Sequence, residues 1–592
     1  MVWRTRGGKS FAVNEHAVMV LIAIIVGIAG GYGAVVFRIL IHLFQSLFFG
    51  TGDRLFLKYL LDLPWYAKLI PPIIGGAIVG PALYFFAPEG RGPGVSEAIA
   101  AVALRGGQIR RRVCIIKTLA SAVCIGSGGS AGREGPIVQI GAAIGSLIGQ
   151  TIGVTADRMR TLVACGAAAG IAATFNAPIA GVMFAVEIIL GNLSIASFSP
   201  VVVSSVIATV VARIHLGENP AFFIPQYTLV SPFEIPLYLL LGIVAGMVGV
   251  CFTLCLYTTE DFFKRIKIPD YAKAALGAAC VGVIGIFLPH VFGVGYDVVD
   301  ATLWSKLSWQ VVFILIFMKM IATSLTIGSG SSGGIFGPSL FMGAMTGAVF
   351  GHFAHLLFPS ITASAGAYAC VGMGAVVAAT THGPLHAMLI IFESTGDYKI
   401  IVPLMTACII SYLVASQINR ESIFTLKLMR RGIDIKSGRE LNILKSLRVE
   451  RAMTKRVETV REDMTLRELL KFTLSSKYAS FPVVDREGML SGIISFQDFK
   501  GIVLEEGLED LIVVKDIATE KVITVYKDES LDAALEKIGF RNIERLPVVD
   551  SRNPRRIIGI LSRRDIFTAY NKALIDRSVS EGLHDGKDSE TL

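Results

Sequence analysis

Up to about Lys427 the chain is a succession of apolar runs separated by glycine, proline and short polar pieces: Ala17–Ile28, Ile73–Phe86, Val201–Val211, Leu237–Leu256, Val311–Leu325 and Ile400–Ala415. A helix that crosses a bilayer needs ~20 apolar residues. Several runs reach that length and several fall short. Short segments interrupted by Gly or Pro at membrane depth predict broken helices that line a cavity. From about Ser446 the pattern becomes a charged strand–helix–strand–strand alternation that occurs twice. The first copy holds Val457–Val460, a helical Leu466–Leu474, Phe481–Asp485 and Gly492–Asp498. The second holds Val522–Val525, a helical Leu531–Ile538, Leu546–Asp550 and Gly559–Asp565.

Composition agrees with that division. Of 592 residues 53% are hydrophobic and 17% charged, with a mean hydropathy of +0.63; a soluble chain carries about a quarter charged residues. The net charge of +9 gathers at Arg4, Arg6 and Lys9, at Arg105 and Arg110–Arg112, and at Lys427, Arg430 and Arg431. Basic clusters flanking apolar spans read as positive-inside topology. That predicts cytoplasmic N- and C-termini in a multi-pass protein of the cell membrane, and gives no case for nucleic acid. The stretch from Ala17 to Phe49 is too long for a signal-peptide core. The eight cysteines (114, 124, 165, 251, 255, 280, 370 and 408) lie in or beside apolar runs. They read as small buried hydrophobes, implying neither a disulfide framework nor a metal site.

The apolar part repeats itself. Ile125-Gly-Ser-Gly-Gly-Ser-Ala-Gly-Arg-Glu-Gly-Pro136 aligns with Ile327-Gly-Ser-Gly-Ser-Ser-Gly-Gly-Ile-Phe-Gly-Pro338 at an offset of 202, with eight of twelve positions identical, and Lys117 and Lys319 share the offset. Pro178 to Glu187 and Pro384 to Glu393 are both nine residues apart. Such duplication in a polytopic chain marks a two-repeat transporter. The linker Gly217–Pro236 is the expected seam.

Pro136 and Pro338 are expected at the first position of a helix. The Gly-rich residues before them then present unpaired N–H groups at a helix N-terminus, which makes an anion site. Glu134 puts a carboxylate among those donors. Ionised, it occupies the site; protonated, it is free to leave. An intramembrane acid is costly and marks function by default. The alternatives are a structural helix cap, or a phosphate-binding loop, against which the Gly-Lys-Ser/Thr ending is missing.

With GREGP, FNAPIAG, GGIFGP and the paired C-terminal modules together, the chain resembles the CLC family of chloride channels and proton-coupled anion exchangers over nearly its whole length. The resemblance implies an α-helical polytopic membrane protein of two inverted repeats with broken helices, followed by a cytoplasmic α/β pair of CBS modules. It divides the chain into a transport domain 1–435, a linker 436–447, CBS modules 448–505 and 513–571, and a polar, disordered tail 572–592. It also implies a homodimer with one pore per subunit, carrying chloride or similar small inorganic anions. Glu134 falls on the family's external gating and proton-coupling glutamate. Ile335 and Phe336 fall on the residues whose backbone amides hold the central anion, with Gly94, Gly132, Arg133, Gly135 and Gly334 beside them.

Three departures from the family pattern stand out. Pro93, in Gly92-Pro93-Gly94, replaces a serine whose hydroxyl holds the anion, and members with proline there are associated with nitrate. Phe424 replaces a tyrosine that supplies the other side-chain donor. Both hydroxyls being absent predicts weaker, less chloride-selective binding, unless water takes their place. Ile188 stands where proton-coupled members often carry an inner glutamate. The preceding Glu187 then either passes protons or is purely structural, and Lys117 is a further charge beside this path. The first reading is exchange of anions for protons, and the alternative is a passive voltage- or pH-gated chloride channel; a third, a vestigial pore attached to a nucleotide sensor, is argued against by the intact GREGP and GGIFGP pair. No hydrolytic or transfer site is visible, so the chain is not read as an enzyme. CBS pairs of the family often bind ATP, ADP or AMP; here Thr459, Tyr478, Ser562 and Asp565 are the candidate contacts. His382 and His386 are spaced for a metal, but Pro384 interrupts them and a structural role is expected. Trp3, Trp65, Trp304 and Trp309 fit membrane-interface positions.

Overall fold

The computed structural model describes residues 15–51, 56–191, 195–218, 230–433, 447–500, 509–540 and 544–573, with the single positions 222, 444 and 502. Trp3, the basic residues Arg4, Arg6 and Lys9, most of the 436–447 linker and the tail from 574 lie outside the described residues. The chain divides into two compact units at Gly432 and Ile433.

The first unit is helical. In chain order it comprises α1 (Glu15–Phe49), α2 (Phe56–Asp62), α3 (Trp65–Phe86), α4 (Val95–Leu104), α5 (Arg111–Gly126), α6 (Glu134–Ile152), α7 (Ala156–Phe175), α8 (Pro178–Phe184, continued by a π-helical turn Ala185–Leu190) and α9 (Ile195–Leu216). Then follow α10 (Ile235–Arg265), α11 (Asp270–Phe287), α12 (Tyr296–Leu303), α13 (Trp309–Gly328), α14 (Phe336–Leu357), α15 (Ala365–Thr381), α16 (Pro384–Thr395), α17 (Ile401–Ile418) and α18 (Thr425–Met429). Among the described residues nine helical segments are long and apolar enough to cross a membrane. Trp65, Trp304 and Trp309 are exposed.

The packing repeats as the sequence does. α6 lies on α7 and α14 on α15; α1 lies on α9 and α10 on α17; the halves meet where α3 packs on α11 and α8 on α16. Small residues let the paired helices approach closely. A Cβ on Gly141 would lie 2.1 Å from the Gly166 carbonyl oxygen, and in the second half one on Gly343 would lie 2.4 Å from that of Gly372. Such backbone contact admits no side chain.

One sequence expectation needs correction. The two helices that carry these prolines begin not at Pro136 and Pro338 but two residues earlier, at Glu134 and Phe336. Proline is still harmless there, because the first four N–H groups of a helix have no intrahelical partner.

The second unit contains two three-stranded sheets built alike. In one, β1 (Val460–Arg461) runs parallel to β2 (Ser480–Val484), which is antiparallel to β3 (Leu490–Ser495). In the other, β4 (Val525–Tyr526), β5 (Arg545–Asp550) and β6 (Asn553–Ser562) repeat this order. Pro482 pairs with Ile493, and Pro547 with Ile560. Helices Leu466–Ser475 and Leu531–Phe540 bury Leu466, Leu469, Leu531, Ala534 and Ile538 against these sheets. The modules exchange edges: Thr454 pairs with Ile560, and Thr519 with Ile493.

Candidate functional site

Both Gly-rich loops end in a helix N-terminus, and the two N-termini are tied together. Gly132 and Gly334 exchange backbone hydrogen bonds at 2.7 Å in each direction. This short ladder sets the start of α6 against the start of α14. Two sets of unpaired N–H groups and two positive dipole ends therefore meet in one buried region.

Glu134, the first residue of α6, is wholly buried there. Its Oε2 accepts the Gly337 N–H at 3.0 Å, a donor from the first turn of α14, and its Oε1 accepts the Tyr296 hydroxyl. The carboxylate thus occupies the donor position that an inorganic anion would seek. Ile335 and Phe336 are buried at the same helix start. The Phe336 ring is fixed by Phe175 at 5.7 Å, Phe184 at 6.4 Å and His386 at 5.9 Å. Arg133 is half-buried and lays its guanidinium 5.0 Å from the centre of the Tyr296 ring.

A second pair of loops supports the first. Gly92-Pro93-Gly94 and Gly293-Val294-Gly295 place both their glycines at positive φ: 83° and 86° in one, 58° and 85° in the other. A side chain is strained in that region, whereas glycine is not. Each loop is held by a buried lysine. Lys117 Nζ donates to the Gly90 and Gly92 carbonyls, both at 2.8 Å; Lys319 Nζ donates to those of Val291 at 3.0 Å and Gly293 at 2.9 Å. A buried ammonium needs such acceptors. Gly94 and Gly135 sit where the Pro93 loop meets α6: a Cβ on Gly135 would lie 2.2 Å from the Pro93 carbonyl oxygen and 2.9 Å from Gly334 Cα.

The twin loops open on separate cavities. One, of about 690 Å³, is lined by Gly293–Gly295, Tyr296, Arg133, Arg38, His42 and Arg213. The other, of about 360 Å³, is lined by Gly92, Pro93, Tyr257, Lys427, Arg430 and Arg431. Lys427 Nζ donates to the Arg91 carbonyl at 2.9 Å. Both walls are basic and suit an anion. Phe424 is buried and brings no hydroxyl. The nearby hydroxyls serve the backbone: Ser96 Oγ donates to the Phe424 carbonyl at 2.9 Å, and the Tyr257 hydroxyl to that of Ile423.

Glu187 is not part of this cluster. Its two oxygens accept the Leu385 N–H at 3.1 Å and the His386 N–H at 2.9 Å, capping the start of α16, and His386 Nδ1 lies 2.9 Å away. Glu393 does the same in reverse, accepting Ile179 N–H at 3.0 Å and Ala180 N–H at 2.7 Å at the start of α8. The matched proline-to-glutamate spacing is therefore a reciprocal pair of caps. Ile188 packs close to Gly383. Among the described residues no group of three or more His, Cys, Asp or Glu could hold a metal ion.

In the second unit, Asp565 Oδ2 accepts Ser562 N–H at 2.9 Å and Ser562 Oγ at 2.6 Å, a helix cap that Asp498 and Ser495 repeat in the first module. The Tyr478 ring carries the Arg545 guanidinium 4.0 Å from its centre. Thr459 is half-buried next to β1. An adenine stacking on that face of Tyr478 would have to displace Arg545, and Asp565 already serves its own helix.

Sequence reading missed Tyr296 and the twin of the Pro93 loop, and took Lys427 only as one of a basic cluster that sets topology. A signal for the last was present: Gly-x-Gly recurs at an offset of 201. Nothing in the sequence points Tyr296 at Glu134.

Comparison with known proteins finds relatives over most of the chain. Residues 75–416 match the family model for voltage gated chloride channels, and residues 449–505 and 514–572 each match that for the CBS domain. A putative chloride channel protein, ClcB-like, from Ralstonia nicotianae is 37% identical over 420 residues, which cover 70% of this chain and 98% of that protein. The H(+)/Cl(-) exchange transporter ClcA of Vibrio parahaemolyticus is 33% identical over 438 residues, covering 72% and 91%. The crystal structure of a slow cyanobacterial Cl-/H+ antiporter superposes with a TM-score of 0.63 at 28% identity, covering 71% of this chain and 99% of that one.

Proposed function

The chain belongs to the CLC family, and from that premise we propose that it exchanges chloride and similar small inorganic anions for protons across a membrane, with Glu134 as gate. The observation that carries this reading is the Glu134 carboxylate on the Gly337 N–H, at the meeting point of two helix N-termini. An anion arriving there competes with Glu134, and protonation of Glu134 removes its claim on the site. Anion entry and proton uptake are thereby linked in one residue.

The backbone donors of Gly135, Ile335 and Phe336 form the anion seat in this reading, with the Gly132–Gly334 pairing holding the two helix starts together and Gly94 and Arg133 shaping its approach. Pro93 and Phe424 leave that seat without a side-chain hydroxyl, which supports relaxed selectivity between chloride and nitrate. The active unit is a homodimer with cytoplasmic termini. The CBS pair regulates transport, with ATP, ADP or AMP as the ligand to test.

A passive channel is the second reading. It is favoured by Ile188, and by the commitment of Glu187 to the α16 cap, which leave the proton route without a dedicated inner acid. The reconstituted protein distinguishes them. A chloride gradient that drives protons uphill establishes exchange. Chloride flux with no proton movement, reversing at the chloride equilibrium potential, rejects exchange in favour of the channel.

A further inference from the structure

The two halves match around the pore but differ in chemistry at several positions. Glu134 stands where the second half has Phe336, and Tyr296 stands where the first half has Val95, each of these last two directly after its Gly-x-Gly turn. These two polar residues, neither with a polar counterpart in the other half, are bonded to one another: the Tyr296 hydroxyl donates to Glu134 Oε1. The phenol is also aimed. Phe222 packs on its ring at 4.6 Å, and the Arg133 guanidinium lies 5.0 Å from the ring centre. Tyr296 forms part of the wall of the 690 Å³ cavity, while Glu134 is wholly buried.

We propose that Tyr296 is a positioning residue for transport: a latch that holds the Glu134 carboxylate in the anion seat and sets the pH at which it leaves. This rests on the reading of Glu134 as the gate. A phenol donates more strongly to a carboxylate than to a neutral carboxyl. The bond therefore favours the ionised, seated form. A proton delivered to Oε1 from the cavity removes the acceptor, and the latch releases. Val95 shows that the matching turn of the first half forms without a hydroxyl at this position.

Other charged groups face the pair. Lys319 lies under the Gly293 turn and Arg133 over the ring. Arg38, His42, Lys58, Arg213 and Lys306 line the cavity, as do His290, Asp297 and Asp300. Asp297 lies on α12, too short to cross the membrane, and its carboxyl is pushed up to about 6 by burial.

The test follows chloride efflux from vesicles against pH for full-length wild type, Tyr296→Phe, Glu134→Gln, the double variant, and Asp297→Asn with and without Tyr296→Phe. Losing one charge-assisted hydrogen bond should raise the pH midpoint of flux by roughly one unit, with flux at neutral pH rising about tenfold. The shift should persist on the Asp297→Asn background and vanish on the Glu134→Gln background, where no carboxylate remains. A Tyr296→Phe protein of normal thermal stability with an unmoved midpoint overturns the latch. So does an equal effect with and without Glu134, which would mark a structural role only. If Glu134→Gln leaves the wild-type pH profile intact, the gate reading itself fails, and the latch with it.

Discussion

Glycine 337 offers the sharpest single perturbation, because the space around it separates gating from folding. A Cβ built there would lie 2.9 Å from Glu134 Oε2, 3.2 Å from Gly132 Cα and 3.3 Å from Val294 Cγ1. The latter two contacts are tight by only a few tenths of an ångström. The first is with the far end of a side chain that can move. Alanine should therefore displace the carboxylate and leave the two-helix junction standing. The displaced group loses its bond from the Gly337 N–H, a charge-assisted interaction worth about 1.5–3 kcal/mol. That energy corresponds to a shift of roughly 10- to 100-fold toward the unseated form. Gly135→Ala is the contrast, since its Cβ would meet the Pro93 carbonyl at 2.2 Å and Gly334 Cα at 2.9 Å, both backbone. Chloride flux against pH, together with thermal unfolding in detergent, distinguishes the two. Gly337→Ala should keep its unfolding temperature and lose most of its pH dependence; Gly135→Ala should unfold early. A Gly337→Ala protein with the wild-type pH profile and rate would refute the claim that Glu134 is held by this donor.

Three further outcomes are expected. Pro93→Ser returns a hydroxyl to the wall of the smaller cavity and should raise chloride affinity by about tenfold, for a hydrogen bond to a charged partner; an unchanged nitrate-to-chloride flux ratio would remove Pro93 from the selectivity argument. Glu187→Gln and Glu393→Gln each weaken one of two matched caps and should each cost about 1 kcal/mol of stability while leaving the number of protons moved per chloride unchanged; a loss of coupling confined to Glu187→Gln would put Glu187 on the proton route instead. Arg545→Ala uncovers the face of Tyr478 and should strengthen AMP or ATP binding to the full-length protein by calorimetry; heat signals absent from both proteins would exclude nucleotide regulation through this pair.

Much of the architecture could be read from residue order. Apolar run lengths foretold the long helices, and the two matched segments at an offset of 202 foretold twofold internal packing, because equal sequences bury equal faces. Glycine and serine before α6 and α14, with proline in the first turn of each, announced unpaired N–H donors. The exact helix starts were hidden, since proline is tolerated at any of the first positions and does not say which one it takes. The paired prolines and glutamates were visible as a spacing. Their meaning as reciprocal caps was not, for each glutamate serves the helix of the opposite half, roughly two hundred residues away.

What the sequence determined by itself, then, was the set of parts: membrane-length helices, two copies of an anion-seeking helix start, one acid among them, and a duplicated α/β module. These are local consequences of apolar periodicity, backbone freedom and the cost of a buried charge. Tertiary structure decided which parts meet. It set Gly132 against Gly334, put the Tyr296 hydroxyl on Glu134, and laid Arg545 over Tyr478. Such pairings are fixed by how whole helices and sheets pack, so the energy that selects them is spread over many contacts and leaves no mark on the two residues brought together.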